Sequence, residues 1–575
     1  MKNFSKKFKK ISALLLTVVT VIAFTACSGN NGRDNGYEKE IDAEKTNIYV
    51  ANFDGGLGKV WLQNAIKRFE SQNAEVSYET DKKGVHVIID DSLDKEQVKG
   101  TSLIDIIVDN RAHLFFTEQV YYKEFVRDGL IADITDVVKK TNTDGKTIES
   151  KLTREQRDYL NYGGKYYTLP FYAGFAGMMY DIDLFVAENL YFGADEDSID
   201  EEGFIVNKRA TKANGPDGVA GTPDDGLPAT YDEFFKLCTR MIEKDIIPFI
   251  WSGEYMDPYT KETLVALQAD YEGLDQMMLN YTLNGRATDI VTDIVGNGFD
   301  AQLTTEEVDI TTDNGYRILQ QAGKYYALAF FENMLTMTVS GKKLYSPKSV
   351  NTSYSHTDAQ DEFLLSRPEG KPIAMLLDGV WWENEASNSN TFADAAEIYG
   401  NQYSREQRNL GVMYLPKANN DKFGANTVVD SKFSAAFINA AIKNAGEKKA
   451  AEDFLAFCYT DDSLVKFTQT TNVCMSLEYE LTDSDLEKLS PFGRNAYIYR
   501  KNANKVFAYS GSDFFGIYAP KLKTEYLFGT KTNKGSFNVP VTTFKNNTIS
   551  AAEYFLGIAS YYSKDYWSMN YEYNA

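Results

Sequence analysis

The chain is poor in the residues that metal and nucleophile chemistry most often uses. Its 575 residues include three histidines, His86, His113 and His356, far apart and in neither an HExxH nor a Cys/His spacing. That argues against a zinc centre or a His-based triad. Of four cysteines, Cys238, Cys458 and Cys474 are left if Cys27, directly behind the N-terminal apolar run, is taken by lipid, and three is an odd number for a disulfide framework. Cys238 and Cys458 fall among apolar residues of helix-like stretches (Phe234, Leu237, Met241; Phe454, Leu455), so buried free thiols are expected. Positive charge is also short: 60 Lys+Arg stand against 82 Asp+Glu, a formal net charge of −22. This disfavours nucleic acid or a phosphate-rich surface as partner, since both require cationic neutralisation. Beyond the N-terminus no apolar run is long enough to cross a bilayer.

What is present begins with a leader. Five lysines fall among the first ten residues, and an apolar run from Ile11 to Phe24 and then small residues follow, the layout of a secretory signal over residues 1–26. The run ends Phe24, Thr25, Ala26, Cys27, which resembles the bacterial lipobox. Cys27 is therefore the expected lipidation site, and the outer face of the cell membrane the expected location, because two acyl chains suffice for stable anchoring. Residues 27–45 read as a flexible polar tether. The remainder exceeds a single core, so at least two lobes are expected.

The stretch Ala374 to Glu385 (AMLLDGVWWENE) organises the rest. Four apolar residues running into Asp378 and Gly379 read as a strand covered on both faces that stops at a turn. Trp381 and Trp382 follow, with Asp378, Glu383 and Glu385 beside them. An indole offers an apolar face to a sugar ring and a nearby carboxylate accepts its hydroxyls, so the stretch suits a saccharide site. The bland alternative is that both tryptophans are core.

Along the chain, Asn47 to Asn52 reads as a first strand, followed by the glycine-rich loop Phe53 to Gly58 and by a helical stripe at Leu62, Ala65, Ile66 and Phe69. The loop lacks the glycine and Ser/Thr positions of a phosphate loop. Val85 to Ile89 and Leu103 to Val108 read as the next strands, giving an α/β lobe with a largely parallel sheet. Ligands gather at the carboxyl ends of such strands, which here carry Asn52, Asp54, Asp109 and Asn110. Thr230 with Glu233, and Ser550 with Glu553, are capping boxes that start helices. The insertion Asn214 to Gly226 concentrates Asp217, Asp224 and Asp225 among glycines. A structural calcium ion held by Asn214, Asp217, Asp224 and Asp225 is expected there, against the alternative of a solvated turn.

A succession of passages resembles the extracellular solute-binding proteins of the maltose-binding-protein type that feed ABC importers. These are Gly163 to Gly174 (GGKYYTLPFYAG) with Gly177 to Leu184, Pro228 to Phe234, Ile247 to Gly253, Gly370 to Met375 with Gly379 to Trp381, Leu410 to Pro416, Ala451 to Phe457 and Asn472 to Ser476. The resemblance implies an α/β, two-lobed, periplasmic-binding-protein-like fold of type II. Each lobe would be a mainly parallel sheet flanked by helices, and the lobes would close about a multi-crossover hinge. Lobe 1 would comprise residues 46–172 plus 416–475 and lobe 2 residues 173–415 plus 476–575. The crossovers would fall near Tyr172 to Gly174, Leu415 to Pro416, and Asn472 to Met475. Gly174 departs from the glutamate of the maltose-binding protein, so that protein's contact pattern does not transfer whole.

Trp381 matches the family's ring-stacking position and Trp251 lies close to a second. With Asp54, Asn110, Tyr172, Glu254, Asp378, Trp382 and Glu383 they form the expected ligand set, with Trp61 a weaker candidate. The implied protein is a monomeric, lipid-anchored receptor with no catalytic residues, delivering an oligosaccharide or other sugar to the membrane subunits of an ABC importer. A secreted glycoside hydrolase and a lipoprotein that binds another polar solute are the alternatives.

Overall fold

Two sheets and the segments that join them carry the architecture. The computed structural model describes residues 41–90, 98–109, 112–118, 120, 122–430 and 434–508, together with 531–532, 535–536, 540–546 and 549–570. Cys27 and Asn110 lie outside the described residues.

The first sheet is ordered Val85–Ile89, Thr46–Asn52, Leu114–Glu118, Ser434–Ile438, Leu169–Pro170. Its first two pairings are parallel and its last two antiparallel. The second sheet is ordered Leu410–Val412, Ala176–Asp181, Ile373–Gly379, Ile247–Ile250, and of its pairings the one between the last two strands is parallel. Both sheets are thus mixed rather than mainly parallel. A parallel neighbour needs a covering crossover within its own lobe, whereas Ser434–Ile438 enters from the other lobe and runs in the opposite direction.

The helix Val60–Gln72 follows the first strand and buries Trp61, Leu62, Ala65, Ile66 and Phe69, the stripe its sequence predicts. Leu103–Val108, expected as a strand, is a helix. Its buried residues Leu103, Ile106 and Ile107 repeat at i, i+3 and i+4, a period that a short apolar run masks. The strand of this region is Leu114–Glu118, buried throughout. Thr230 caps Tyr231–Glu243 by accepting from Glu233 N, and Ser550 with Glu553 forms a full capping box on Ala551–Tyr561. Cys238 and Cys458 are buried free thiols.

The chain leaves the first sheet at Pro170 and enters the second at Ala176. It passes beside the segment that follows the helix Asp461–Thr471, and the two are stitched together. Tyr172 bridges Met475, Ala173 N donates to Cys474 O at 2.8 Å, and Ser476 N donates to Phe171 O at 3.0 Å. Between these two passages the chain returns later than the Leu415–Pro416 of the resemblance. Lys417 Nζ is still bonded to Asp270 at 2.6 Å, and Thr427 N donates to the same carboxylate at 3.1 Å, on the helix Met256–Thr282 of the second lobe. A buried ion pair with a further backbone donor fixes that segment firmly, which moves the crossing beyond it.

Two helices of the C-terminal region pack on elements of the second lobe. In the helix Pro491–Asn502, Asn495 accepts from Val412 N at 2.7 Å, while Ala551–Tyr561 lies on Ala322–Thr336, where Ala551 N donates to Glu332 at 2.8 Å. Among the described residues no helix is long and apolar enough to cross a membrane.

Candidate functional site

The strand Ile373–Gly379 is buried at every residue and lies between two neighbours, so its uninterrupted apolar sequence suits both faces. It delivers Asp378 to the edge of the second lobe. Gly379 lets the chain turn there, because the indole of Trp381 folds back over the space that a Cβ at this position would fill. Trp381 then becomes the N-cap of the helix Trp382–Asn388. Its ring is 6% exposed and hydrogen-bonds Tyr259 at the start of Met256–Thr282.

Asp378 is nearly sealed. One carboxylate oxygen accepts from the amide of Gly379 at 2.7 Å and the other from Gln360 Nε2 at 3.1 Å. The same Nε2 donates to Glu385 at 2.7 Å, so one amide nitrogen bridges two carboxylates. Burial, and then the neighbouring Glu385, push the Asp378 carboxyl well above its ordinary range. Gln360 rides on His356–Ser366, started by a capping box between Ser355 and Asp358. His356, the first residue of that helix, stands 4.0 Å from Glu385.

The first lobe answers with the loop Phe53 to Gly58. Gly56 has φ +80, and a Cβ built on it would lie 3.1 Å from Glu385 Oε1 and 3.2 Å from Trp381 Cβ. Loop and helix thus touch across the lobe boundary, at a position where the backbone requires glycine. On the other flank of the loop, a Cβ on Gly55 would come within 3.2 Å of Glu118, whose carboxylate accepts from the Tyr172 hydroxyl. Asp54, in the same loop, is exposed and accepts from Asn52 Nδ2 at 2.8 Å.

Of the expected ligand set, the structure therefore gathers Asp378, Trp381, Tyr172 and Asp54 around one loop. Others go elsewhere. Trp251 is 0% exposed and packs on Tyr345 with ring centroids 5.2 Å apart. Trp382 is held among Phe363, Phe392 and Phe492. Both fill the interior of the second lobe, as Trp61 fills that of the first against Phe116, Phe171 and Phe467. Glu383 is buried in an ion pair with Arg405 at 2.8 Å and accepts from Asn472 and Ser490, so it is a structural carboxylate. Glu254 is exposed and contributes its backbone N–H to Tyr354 O.

Glu385, Gln360, Tyr259 and Gly56 were not singled out as ligand residues from sequence. Glu385 and Gly56 alone had a local signal, the one in the Trp381 stretch and the other in the glycine-rich loop. Gln360 and Tyr259 come from helices distant in sequence.

The expected calcium ligands are engaged within their own loop. Asp217 accepts from Val219 N, Asp225 from Gly221 N, and Asp224 from Asp217 N and the Thr222 hydroxyl, at 2.6 to 2.9 Å. Asn214 donates to Gly218 O at 3.1 Å. Among the described residues no group of three or more His, Cys, Asp or Glu side chains is placed as metal ligands would be.

No family model matches the sequence, and no curated protein matches it. Solved structures do match in three dimensions. A solute-binding protein, RafE in complex with raffinose, superposes with a TM-score of 0.51 at 12% identity, over 90% of this chain and 98% of that one. A chitin oligosaccharide binding protein gives 0.51 at 14% identity, over 92% and 99%. The GacH receptor of Streptomyces glaucescens, solved unliganded and with acarbose, gives 0.51 at 13% identity, over 92% and 100%. The shared property is the fold: two α/β lobes joined by a hinge of several crossings, the architecture of extracellular solute-binding proteins.

Proposed function

We propose that this protein is a carbohydrate receptor that captures an oligosaccharide between its lobes and delivers it to an ABC importer, held at the outer face of the membrane by lipid on Cys27. One observation carries the reading. Trp381 and Glu385 of the second lobe, the latter linked through Gln360 to Asp378, meet the Gly56 loop of the first, across a hinge whose two outer passages are hydrogen-bonded side by side. An indole beside buried oxygen acceptors offers an apolar surface for a sugar's C–H face and receivers for its hydroxyls. The raffinose, chitin-oligosaccharide and acarbose ligands named for structures of the same fold support this chemistry.

A thermal-melting screen against raffinose, maltotriose, xylotriose and chitotriose tests it, because a ligand that binds the native state raises the melting temperature. At least one saccharide is expected to do so. No shift with any saccharide of a broad panel contradicts the proposal.

A second reading, a glycoside hydrolase, draws on the same pair of carboxylates. Both bond one nitrogen and the Asp378 carboxyl is raised by burial and by Glu385, the direction a general acid needs. The receptor reading predicts no new reducing ends when the protein is incubated with these oligosaccharides; their appearance would establish the hydrolase.

A further inference from the structure

Gln360 joins the ligand-facing group to the surface on which the lobes meet. Its side chain is wholly buried, its Nε2 is spent on Asp378 and Glu385, and its Oε1 has no hydrogen-bond partner. Glu385, fixed by that amide, is where the first lobe lands, since Gly56 leaves room for no side chain against Glu385 and Trp381. A buried acceptor left without a donor marks a place where a donor belongs, because buried polar groups are otherwise paired. With the amide nitrogen bonded to both Asp378 and Glu385, the free group is the carbonyl.

We infer that Gln360 is a positioning residue that couples capture to closure. Its amide nitrogen holds Glu385 in the rotamer that receives Gly56, and its carbonyl oxygen accepts a hydroxyl of the bound saccharide. The inference rests on the receptor reading above. A ligand closes a cleft only by favouring the closed state over the open one. A hydroxyl on Gln360 meets that condition, because it steadies the amide that in turn steadies the landing surface. Gly56 is the matching element on the opposite lobe. Its side-chain-free surface lets the loop reach Glu385 and Trp381, and the closed state then retards escape of the ligand more than it affects entry.

The test follows binding of raffinose, maltotriose, xylotriose and chitotriose to the full mature chain by stopped flow, with calorimetry giving the fraction of competent protein. For the saccharide that binds best, Gln360→Leu raises the dissociation rate about tenfold or more while the association rate stays within about twofold, the pattern of a lost closing contact. Gly56→Ala, in the loop that meets Glu385 from the other lobe, gives the same split and keeps the test open if Gln360→Leu folds poorly. Unchanged dissociation in both folded variants overturns the inference and leaves the receptor reading standing. A fall in competent fraction with normal rates also overturns it, since that is the mark of a purely structural residue. If the wild type binds no saccharide of a broad panel, the receptor reading fails and the coupling falls with it.

Discussion

Glu383 and Glu385 stand two residues apart on one helix and serve different parts of the molecule. Glu383 points into the protein, where Arg405, Asn472 and Ser490 surround its carboxylate. Glu385 takes the Gln360 amide beside Asp378 and meets Gly56 of the other lobe. Glu383→Ala would leave Arg405 beside an empty place and lower stability by about 3 kcal/mol, the usual consequence of breaking a buried ion pair. Saccharide affinity of the folded variant should be nearly unchanged. Denaturant unfolding and calorimetry on one sample check both parts, and a large loss of affinity at full stability would put Glu383 back among the ligand residues.

The tryptophans divide in the same way. Trp381→Ala removes the ring at the lobe boundary and should weaken sugar binding of the folded variant about a hundredfold, on the scale of an aromatic anchor, as well as lowering stability, since the ring is largely buried. Trp251→Ala opens a cavity in the second lobe and should cost about 3–5 kcal/mol of stability, while the surviving folded protein binds as before. Comparable affinity losses in both variants would contradict the placement of Trp251 in the core.

Much of this arrangement was legible in the sequence, and the illegible part has a physical pattern. The buried strand ending at Asp378 and Gly379 could be read because a two-sided strand writes itself as an unbroken apolar run. The capped helix starts at Thr230 and Ser550 could be read because the partners lie three residues apart. Trp251 and Trp382 looked like ligand residues because an indole's identity does not reveal which way its ring points, and only neighbours such as Tyr345 and Phe492 decide that. Gln360 and Tyr259 were missed because they reach the site from separate helices through long-range packing. Leu103–Val108 differs from its expectation because five apolar residues around Asp105 fit either period until burial chooses one.

Asp378 gives the site a pH signature. Its carboxyl is raised in the folded protein by burial and by Glu385, with Glu262 adding a smaller push and Gln360 opposing it. An unfolded aspartate titrates at about 3.9. Above that pH the unfolded chain releases a proton that the folded one keeps, so this contribution to stability is complete below pH ~4 and is lost as pH rises toward the folded value. Asp378→Asn removes the dependence. Unfolding free energies measured from pH 4 to 8 should show the wild type losing ground to Asp378→Asn as pH rises, and a constant difference would contradict the raised carboxyl.

The Asp217, Asp224 and Asp225 carboxylates already accept hydrogen bonds from their own loop. Calcium would have to displace those donors, so millimolar calcium should leave the melting temperature unchanged, and chelation should do likewise. A rise of several degrees on adding calcium, abolished by Asp224→Asn, would show that the loop rearranges into a cation site.

The central claim is that two lobes close on a carbohydrate, and small-angle scattering of the mature chain, with and without its best-binding saccharide, tests it most directly. At saturation the radius of gyration should fall as the Gly56 loop settles on Glu385 and Trp381. An unchanged scattering curve under proven saturation would contradict closure as the basis of capture.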